Sequence, residues 1–243
     1  MKKQASYEIK KNQSLAKDIF LMTLVGPMDF SPKPGQFINI KIDGFYLRRP
    51  ISICSFDEES MDIIYKIVGN GTHALSQMLP GQKLDVLCGL GNGFDLSLAS
   101  GKIVLVGGGV GIPPLYGLAK ELKAAGSQFS AVLGWQTGDQ AFFIDEFAAL
   151  CPTHGATNDG EIGKKGTVTD ILKELSYDYY FTCGPKLMLK AVHDLGGNGQ
   201  LSFEARMGCG FGACMGCSCK TLSGSKRICT QGPVLRSDEV IFS

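Results

Sequence analysis

Apolar residues in the first third of the chain fall in short runs at strand spacing: Ile19 to Val25, Gln36 to Ile42, Arg49 to Ile53, Ile63 to Val68 and Lys83 to Leu87. Turn-forming clusters separate them, among them Ser31-Pro32-Lys33-Pro34-Gly35, Asp43-Gly44 and Pro80-Gly81. Short strands punctuated in this way predict an antiparallel barrel or sandwich, with one helical interruption over Thr72 to Met78.

After Gly101 the pattern changes. The apolar run Ile103 to Val106 ends in Gly107-Gly108-Gly109-Val110-Gly111, and Pro113 to Ala125 then reads as a helix with Pro in its first turn. A strand over Ser130 to Trp135, helices over Phe142 to Leu150 and Val168 to Leu175, a strand over Tyr179 to Thr182 and a helix over Pro185 to Leu195 complete the alternation. Strands alternating with helices predict βαβ units on a parallel sheet. The chain thus divides into a barrel domain over 1–99, an α/β domain over 100–199 and a tail over 200–243, whose weak periodicity points to a bound group as its organiser.

Composition sharpens this division. With 24 Lys+Arg against 23 Asp+Glu, a formal charge of +1 provides no field to recruit nucleic acid or an anionic membrane. No run of about 18 apolar residues occurs, and no apolar segment follows Met1-Lys2-Lys3-Gln4, so the expectation is a cytoplasmic protein. Two excesses stand out: 32 Gly and nine Cys, five of the latter between Cys209 and Cys229. In a reducing compartment, clustered thiols are more often metal ligands or redox groups than disulfides.

The cluster reads Cys209-x4-Cys214-x2-Cys217-x11-Cys229, the spacing of plant-type [2Fe–2S] centres. Gly208, Gly210, Gly212 and Gly216 interleave the ligands and allow a tight loop whose amides turn toward sulfur. A zinc knuckle is the competing reading, but zinc sites favour C-x2-C pairs and the tail contains no His. Cys219 could replace Cys217, although the x4-x2 template selects Cys217.

Other motifs are weaker singly. Arg49-Pro50-Ile51-Ser52 offers a cation and a hydroxyl to a phosphate or a flavin, and a solvated edge strand is the plain alternative. Gly71-Thr72 at a helix start suits a pyrophosphate, or is an ordinary capped turn. Gly108, Gly109 and Gly111 lie between a strand and a helix, where a dinucleotide loop belongs, though without the G-x-G-x-x-G spacing. Cys183-Gly184-Pro185 ends a strand, again where open α/β sheets bind ligands.

Taken together, R-P-x-S, G-T, G-G-G-x-G and C-G-P-x-x-M resemble the ferredoxin–NADP reductase family over roughly residues 5–200. This resemblance implies FAD on the barrel and a nicotinamide dinucleotide on the second domain. That family usually carries Tyr at the third position of R-x-Y-S, where this chain has Ile51. The tail, Glu204 to Cys217 followed by Lys226 to Leu235, is similar to that of the electron transfer subunits of class 1B dihydroorotate dehydrogenases.

The second resemblance spans essentially the whole chain. It implies FAD held by Arg49, Pro50, Ile51, Ser52, Ile64, Tyr65, Lys66, Gly71 and Thr72, a [2Fe–2S] cluster on Cys209, Cys214, Cys217 and Cys229, and NAD+ as co-substrate at the glycine loop and Cys183. It also implies an FMN-containing catalytic subunit as partner in a two-plus-two heterotetramer. Electrons from dihydroorotate would reach NAD+ during pyrimidine (UMP) synthesis, with no side chain of this chain acting as acid or base. The diaphorase subunit of a hydrogenase or transhydrogenase is the alternative, having a similar body and cluster tail.

Overall fold

The computed structural model describes residues 2–242. Six strands, β1 (Lys3–Ala16), β2 (Ile19–Val25), β3 (Phe37–Lys41), β4 (Arg49–Phe56), β5 (Ser60–Lys66) and, after helix α1 (Asn70–Ser76), β6 (Lys83–Leu90), close into an antiparallel barrel in the order β1-β2-β5-β4-β3-β6. Two-residue alternation decides which side chains fill it: Ile38 and Ile40 of β3, Ile51 and Ile53 of β4, and Met61 and Ile63 of β5 all point inward and are buried. The bounds of β2 are those the pattern predicts. β1 is absent from the expected set because its sequence, KQASYEIKKNQSLA, is mostly polar and buries only Tyr7 and Ile9.

The second sheet starts with β7 (Ile103–Gly108), and helix α2 (Ile112–Ala124) leads to β8 (Phe129–Trp135). Next come α3 (Ile144–Ala148), β9 (Thr153–Thr157), β10 (Lys164–Lys165) and α4 (Val168–Leu172), then β11 (Tyr179–Cys183), α5 (Lys186–Asp194) and β12 (Asn198–Ser202). The sheet order is β10-β9-β8-β7-β11-β12-β15, where β15 (Val234–Arg236) is antiparallel to β12 and the other pairs are parallel. The chain runs outward from β7 to β10 and then returns to β11 beside β7. The crevice beyond the carboxyl ends of those two strands is the topological switch point, and both the glycine loop and Cys183-Gly184-Pro185 open into it.

The expected helix over Phe142 to Leu150 is shorter, because Phe143 adopts φ +67° and ends the preceding loop in a left-handed turn. Its ring and that of Phe142 instead pack with Tyr116 and Trp135. Burial of three or four aromatic rings outweighs the helical propensity of two residues.

The expected boundary after residue 199 falls inside β12, and the tail returns to the same sheet. In between it forms the hairpin β13 (Ser218–Thr221) and β14 (Gly224–Arg227) and a short turn of helix, α6 (Ile228–Gln231). Asn92, just past the last barrel strand, fixes its end: Asn92 Nδ2 donates to the Val234 carbonyl at 2.7 Å and the Val234 amide donates to Asn92 Oδ1 at 3.1 Å. The Asn92 amide also donates to the Gly232 carbonyl at 2.7 Å. One side chain therefore takes the place of a neighbouring strand and ties barrel, tail and sheet together. Val234 is buried, so Asn92→Ala leaves its peptide groups unpaired and is expected to cost about 1–3 kcal/mol, read as a lowered urea midpoint for the whole chain. A midpoint equal to that of the unaltered chain would show that the tail is not tied to the barrel in this way.

Candidate functional site

Barrel, sheet and tail enclose a cavity of about 350 Å³. Arg49, Pro50, Ile51 and Ser52 of β4 and Ile64, Tyr65 and Lys66 of β5 line one side, together with Thr72 of α1. Val110, Cys183, Phe203, Glu204, Met207 and Pro233 line the other. The strand pairing explains the first wall, because β4 and β5 run antiparallel and bring the start of one beside the end of the other. The Arg49 guanidinium lies 4.7 Å over the Phe45 ring, is hydrogen-bonded to the Leu47 carbonyl, and covers Gly71 so closely that a Cβ there would sit 2.2 Å from Arg49 Nε. Gly71 thus contributes by leaving room for Arg49 and is not itself a wall residue.

Two hydroxyls of this wall, those of Thr72 and Tyr65, are already engaged. Thr72 Oγ1 accepts from the amides of Val68 and Gly69 and so closes the turn, and Tyr65 donates to Asn12 Oδ1 at 2.9 Å. Burial raises the pKa of the Tyr65 phenol and keeps it neutral. What this wall offers the cavity is ring and aliphatic surface with Ser52 and two cations, Arg49 and Lys66, a composition that fits a flat aromatic ring joined to a pyrophosphate.

A second cavity, of about 590 Å³, opens at the switch point. Gly108 and Gly109, the ends of β8 and β9 at Trp135, Gln136 and Asn158, and Pro185, Leu187 and Met188 of the α5 entry line it. Gly111 is not in the wall. A Cβ there would lie 2.3 Å from the Cys183 carbonyl oxygen, so the glycine is what lets the loop after β7 pack on β11. Gly184 packs under Met188 in the same manner. Cys183 borders the first cavity and not the second, and desolvation pushes its thiol up to about 12, so it is a neutral, apolar wall group.

Lys66, Val110 and Glu204 line both cavities and stand at their junction. Glu204 has no counterpart among the expected site residues. Much of its surface is exposed, and that exposure is toward the cavities it borders; the protein packed around the carboxyl still raises its pKa by desolvation.

The cluster loop follows directly from the flavin-side wall, since Met207 precedes Cys209 by two residues. Its amides turn inward, with Ala213 and Cys214 N–H donating to Cys209 Sγ at 3.2 and 3.4 Å. Three of its carbonyls meet a side chain: Cys209 O takes Asn39, Phe211 O takes Lys2, and Gly212 O takes Arg227. Desolvation alone would raise the Cys209 thiol, but amide donors from Cys214, Phe211 and Ala213 outweigh it and bring the pKa down to about 6. For Cys229, burial and the neighbouring Cys217 act in the opposite sense and push the thiol up to about 11.

The thiols group as two pairs. Cys209 and Cys214 share the exposed end, while Cys217 and Cys229 are buried, with Cys229 N–H donating to Cys217 Sγ at 3.4 Å. Two thiols per iron around a bridged pair of irons is the arrangement such pairing fits. Cys219 turns aside, its Sγ toward the Lys220 carbonyl at 3.6 Å.

A six-stranded flavin-type barrel joined to a switch-point nucleotide sheet, with an iron–sulfur loop closing the gap between them, defines a ferredoxin-reductase-like oxidoreductase. Solved structures agree: an NADH-dependent reduced ferredoxin-NADP oxidoreductase, determined in work on flavin-based electron bifurcation, superposes with TM-score 0.90 at 32% identity over 98% of this chain and 90% of that one. Phthalate dioxygenase reductase shares the fold, with TM-score 0.66 at 19% identity over 91% and 87%.

The iron–sulfur cluster binding domain of dihydroorotate dehydrogenase B matches residues 204–241. Dihydroorotate dehydrogenase B (NAD(+)) electron transfer subunits from Geobacillus sp. (strain WCH70) and Bacillus pumilus (strain SAFR-032) are 41% and 43% identical, covering 100% and 99% of both chains. The chain belongs to the family of dihydroorotate dehydrogenase B electron transfer subunits. These relatives favour that family over the diaphorase subunits. FAD, a [2Fe–2S] cluster and NAD are accordingly its redox groups.

The raised Glu204 pKa has a consequence for stability. Its carboxyl keeps a proton in the folded chain at pH values where the unfolded chain has lost it, so its contribution to stability falls as pH rises through that window. Glu204→Gln removes the effect. The gain in melting temperature of this variant over the unaltered chain is expected to be larger at about pH 8 than at about pH 5, as followed by differential scanning fluorimetry. A difference that does not change with pH would mean that the carboxyl is not desolvated.

Proposed function

We propose that the chain is the electron transfer subunit of a class 1B dihydroorotate dehydrogenase. It takes electrons that a separate FMN-containing catalytic subunit removes from dihydroorotate and delivers them to NAD+, as one half of a two-plus-two heterotetramer in pyrimidine synthesis. The observation that carries this reading is the wall shared by the two redox sites: Phe203, Glu204, Ala205 and Met207 border the flavin cavity, and the same segment continues into the cluster ligand Cys209. FAD held there would supply hydride exchange with a nicotinamide and single-electron exchange with an iron–sulfur centre, the conversion that such adjoining sites require.

The residues of this chain place those groups and shield them. Arg49, held over Gly71 by Phe45, and Lys66 supply positive charge for the FAD pyrophosphate, while Ile51, Ile64 and Tyr65 flank the ring. Gly108 and Gly109, with Pro185 and Met188 opposite, receive the dinucleotide. Val110 presents neutral surface between the two and Cys183 a neutral wall on the flavin side, which keeps water from the path of a hydride. Cys209 and Cys214 form the exposed end of the ligand set and Cys217 and Cys229 the buried end, so a cluster held there would be approached by the partner from the Cys214 side. Among the described residues no helix is long and apolar enough to cross a membrane, and all nine cysteines are free, which supports a reducing, cytoplasmic setting.

Cys214→Ser tests the relay. Coupled to the catalytic subunit, the variant is expected to lose dihydroorotate-dependent NAD+ reduction by at least about a hundredfold, whereas NADH still bleaches its flavin at the rate of the unaltered chain. Retained dihydroorotate-dependent activity would contradict the route through the cluster.

A further inference from the structure

Asn39 is the one buried polar residue in the strand Phe-Ile-Asn-Ile-Lys of β3, at 1% exposed. Ile38 and Ile40 on either side point into the barrel core, so Asn39 points outward with Phe37. An outward position on a barrel is normally wet; here the cluster loop covers it. Asn39 Nδ2 donates to the carbonyl of Cys209 at 3.2 Å. The loop can come this close because its next residue is Gly210, at φ +75°, where a Cβ would lie 2.3 Å from Asn39 Nδ2.

Packing alone does not account for asparagine at this place. Its Oδ1 is buried and has no hydrogen-bond partner among the described residues, which is a cost that a leucine of similar shape would avoid. What offsets that cost is the donor to Cys209. The strand itself is held rigid on its other side: Arg48 donates to the backbone carbonyls of Asn39 and Asp85 and pairs with the Asp85 carboxylate at 2.9 Å. The register of β3 then ties the two redox sites to one strand, since Asn39 lies opposite Pro50 and Phe37, a wall residue of the flavin cavity, opposite Ser52.

We propose that Asn39 is a positioning residue for the iron–sulfur cluster, docking the Cys209 end of the ligand loop on the flavin-binding strands by a single side-chain hydrogen bond. The bond turns the Cys209 carbonyl away from sulfur, so the loop's amides face inward, and it sets the separation between cluster and flavin from the flavin's own strand pair. The proposal rests on the functional reading above and extends it to a residue 170 positions from its partner.

The test compares the reconstituted full-length holoprotein with Asn39→Leu, which keeps shape and removes the amide, and with Asn39→Asp, which keeps shape and replaces the donor by an acceptor. Both variants are expected to release iron to a chelator about 10- to 100-fold faster and to show altered g-values and a changed midpoint potential of the reduced cluster. The urea midpoint of the Leu variant is expected to stay near that of the unaltered chain, which separates docking from folding. If Leu fails to fold, the Asp variant carries the same readouts. Unchanged g-values, potential and iron release in the folded variant would overturn the proposal. An unaltered chain that binds no cluster on reconstitution would overturn the functional reading, and this proposal with it.

Discussion

The amide of Phe203 donates to the carbonyl of Pro233 at 2.9 Å, and much of the structure depends on that closure. It joins the two ends of the cluster segment, one leaving β12 and the other entering β15, at the point where both border the flavin cavity. The 30 or so residues between them are thereby held as a loop whose mouth is the flavin wall. A long loop closed in this way is cheap in entropy per residue, because closure cost grows only logarithmically with length. The requirement that two redox groups lie close together is met by the path of the backbone itself.

Glycine and cysteine, the two compositional excesses, serve that arrangement locally. Gly111 lets the nucleotide loop press on β11, and Gly210 lets the ligand loop press on β3. The thiol chemistry is graded by burial and by hydrogen bonds: amides acidify Cys209 at the exposed end, whereas Cys229 at the buried end is made more basic by desolvation and by its neighbour Cys217. Outside the cluster, Cys183 is held neutral by burial, so it acts at the boundary of the flavin cavity through its size and polarity.

Features carried by neighbouring residues were legible in the sequence. The bounds of β2, the barrel-then-sheet order, the glycine loop and the x4-x2 cysteine spacing are all local patterns, and alternation or spacing reports them directly. Features made by distant residues were not. Asn39 meets Cys209 across 170 positions, Asn92 meets Val234 across 142, and Glu204 acquires its place at the cavity junction only once β12 lies beside β11. Nothing in their immediate sequence marks them, apart from the single polar residue interrupting an apolar strand at Asn39. β1 was hidden for another reason: a barrel strand with one solvated face and frequent lysines carries too little apolar signal to register.

The central claim is that flavin and cluster are held together by this chain alone, before any partner binds. Anaerobic mixing of the purified holoprotein with NADH, followed by visible absorption and by EPR of rapidly frozen samples, tests it most directly. The account predicts bleaching of the flavin and then the EPR signal of a reduced [2Fe–2S] cluster, with no catalytic subunit present. A flavin that is fully reduced beside a cluster that stays oxidised, although dithionite reduces it, would contradict the account.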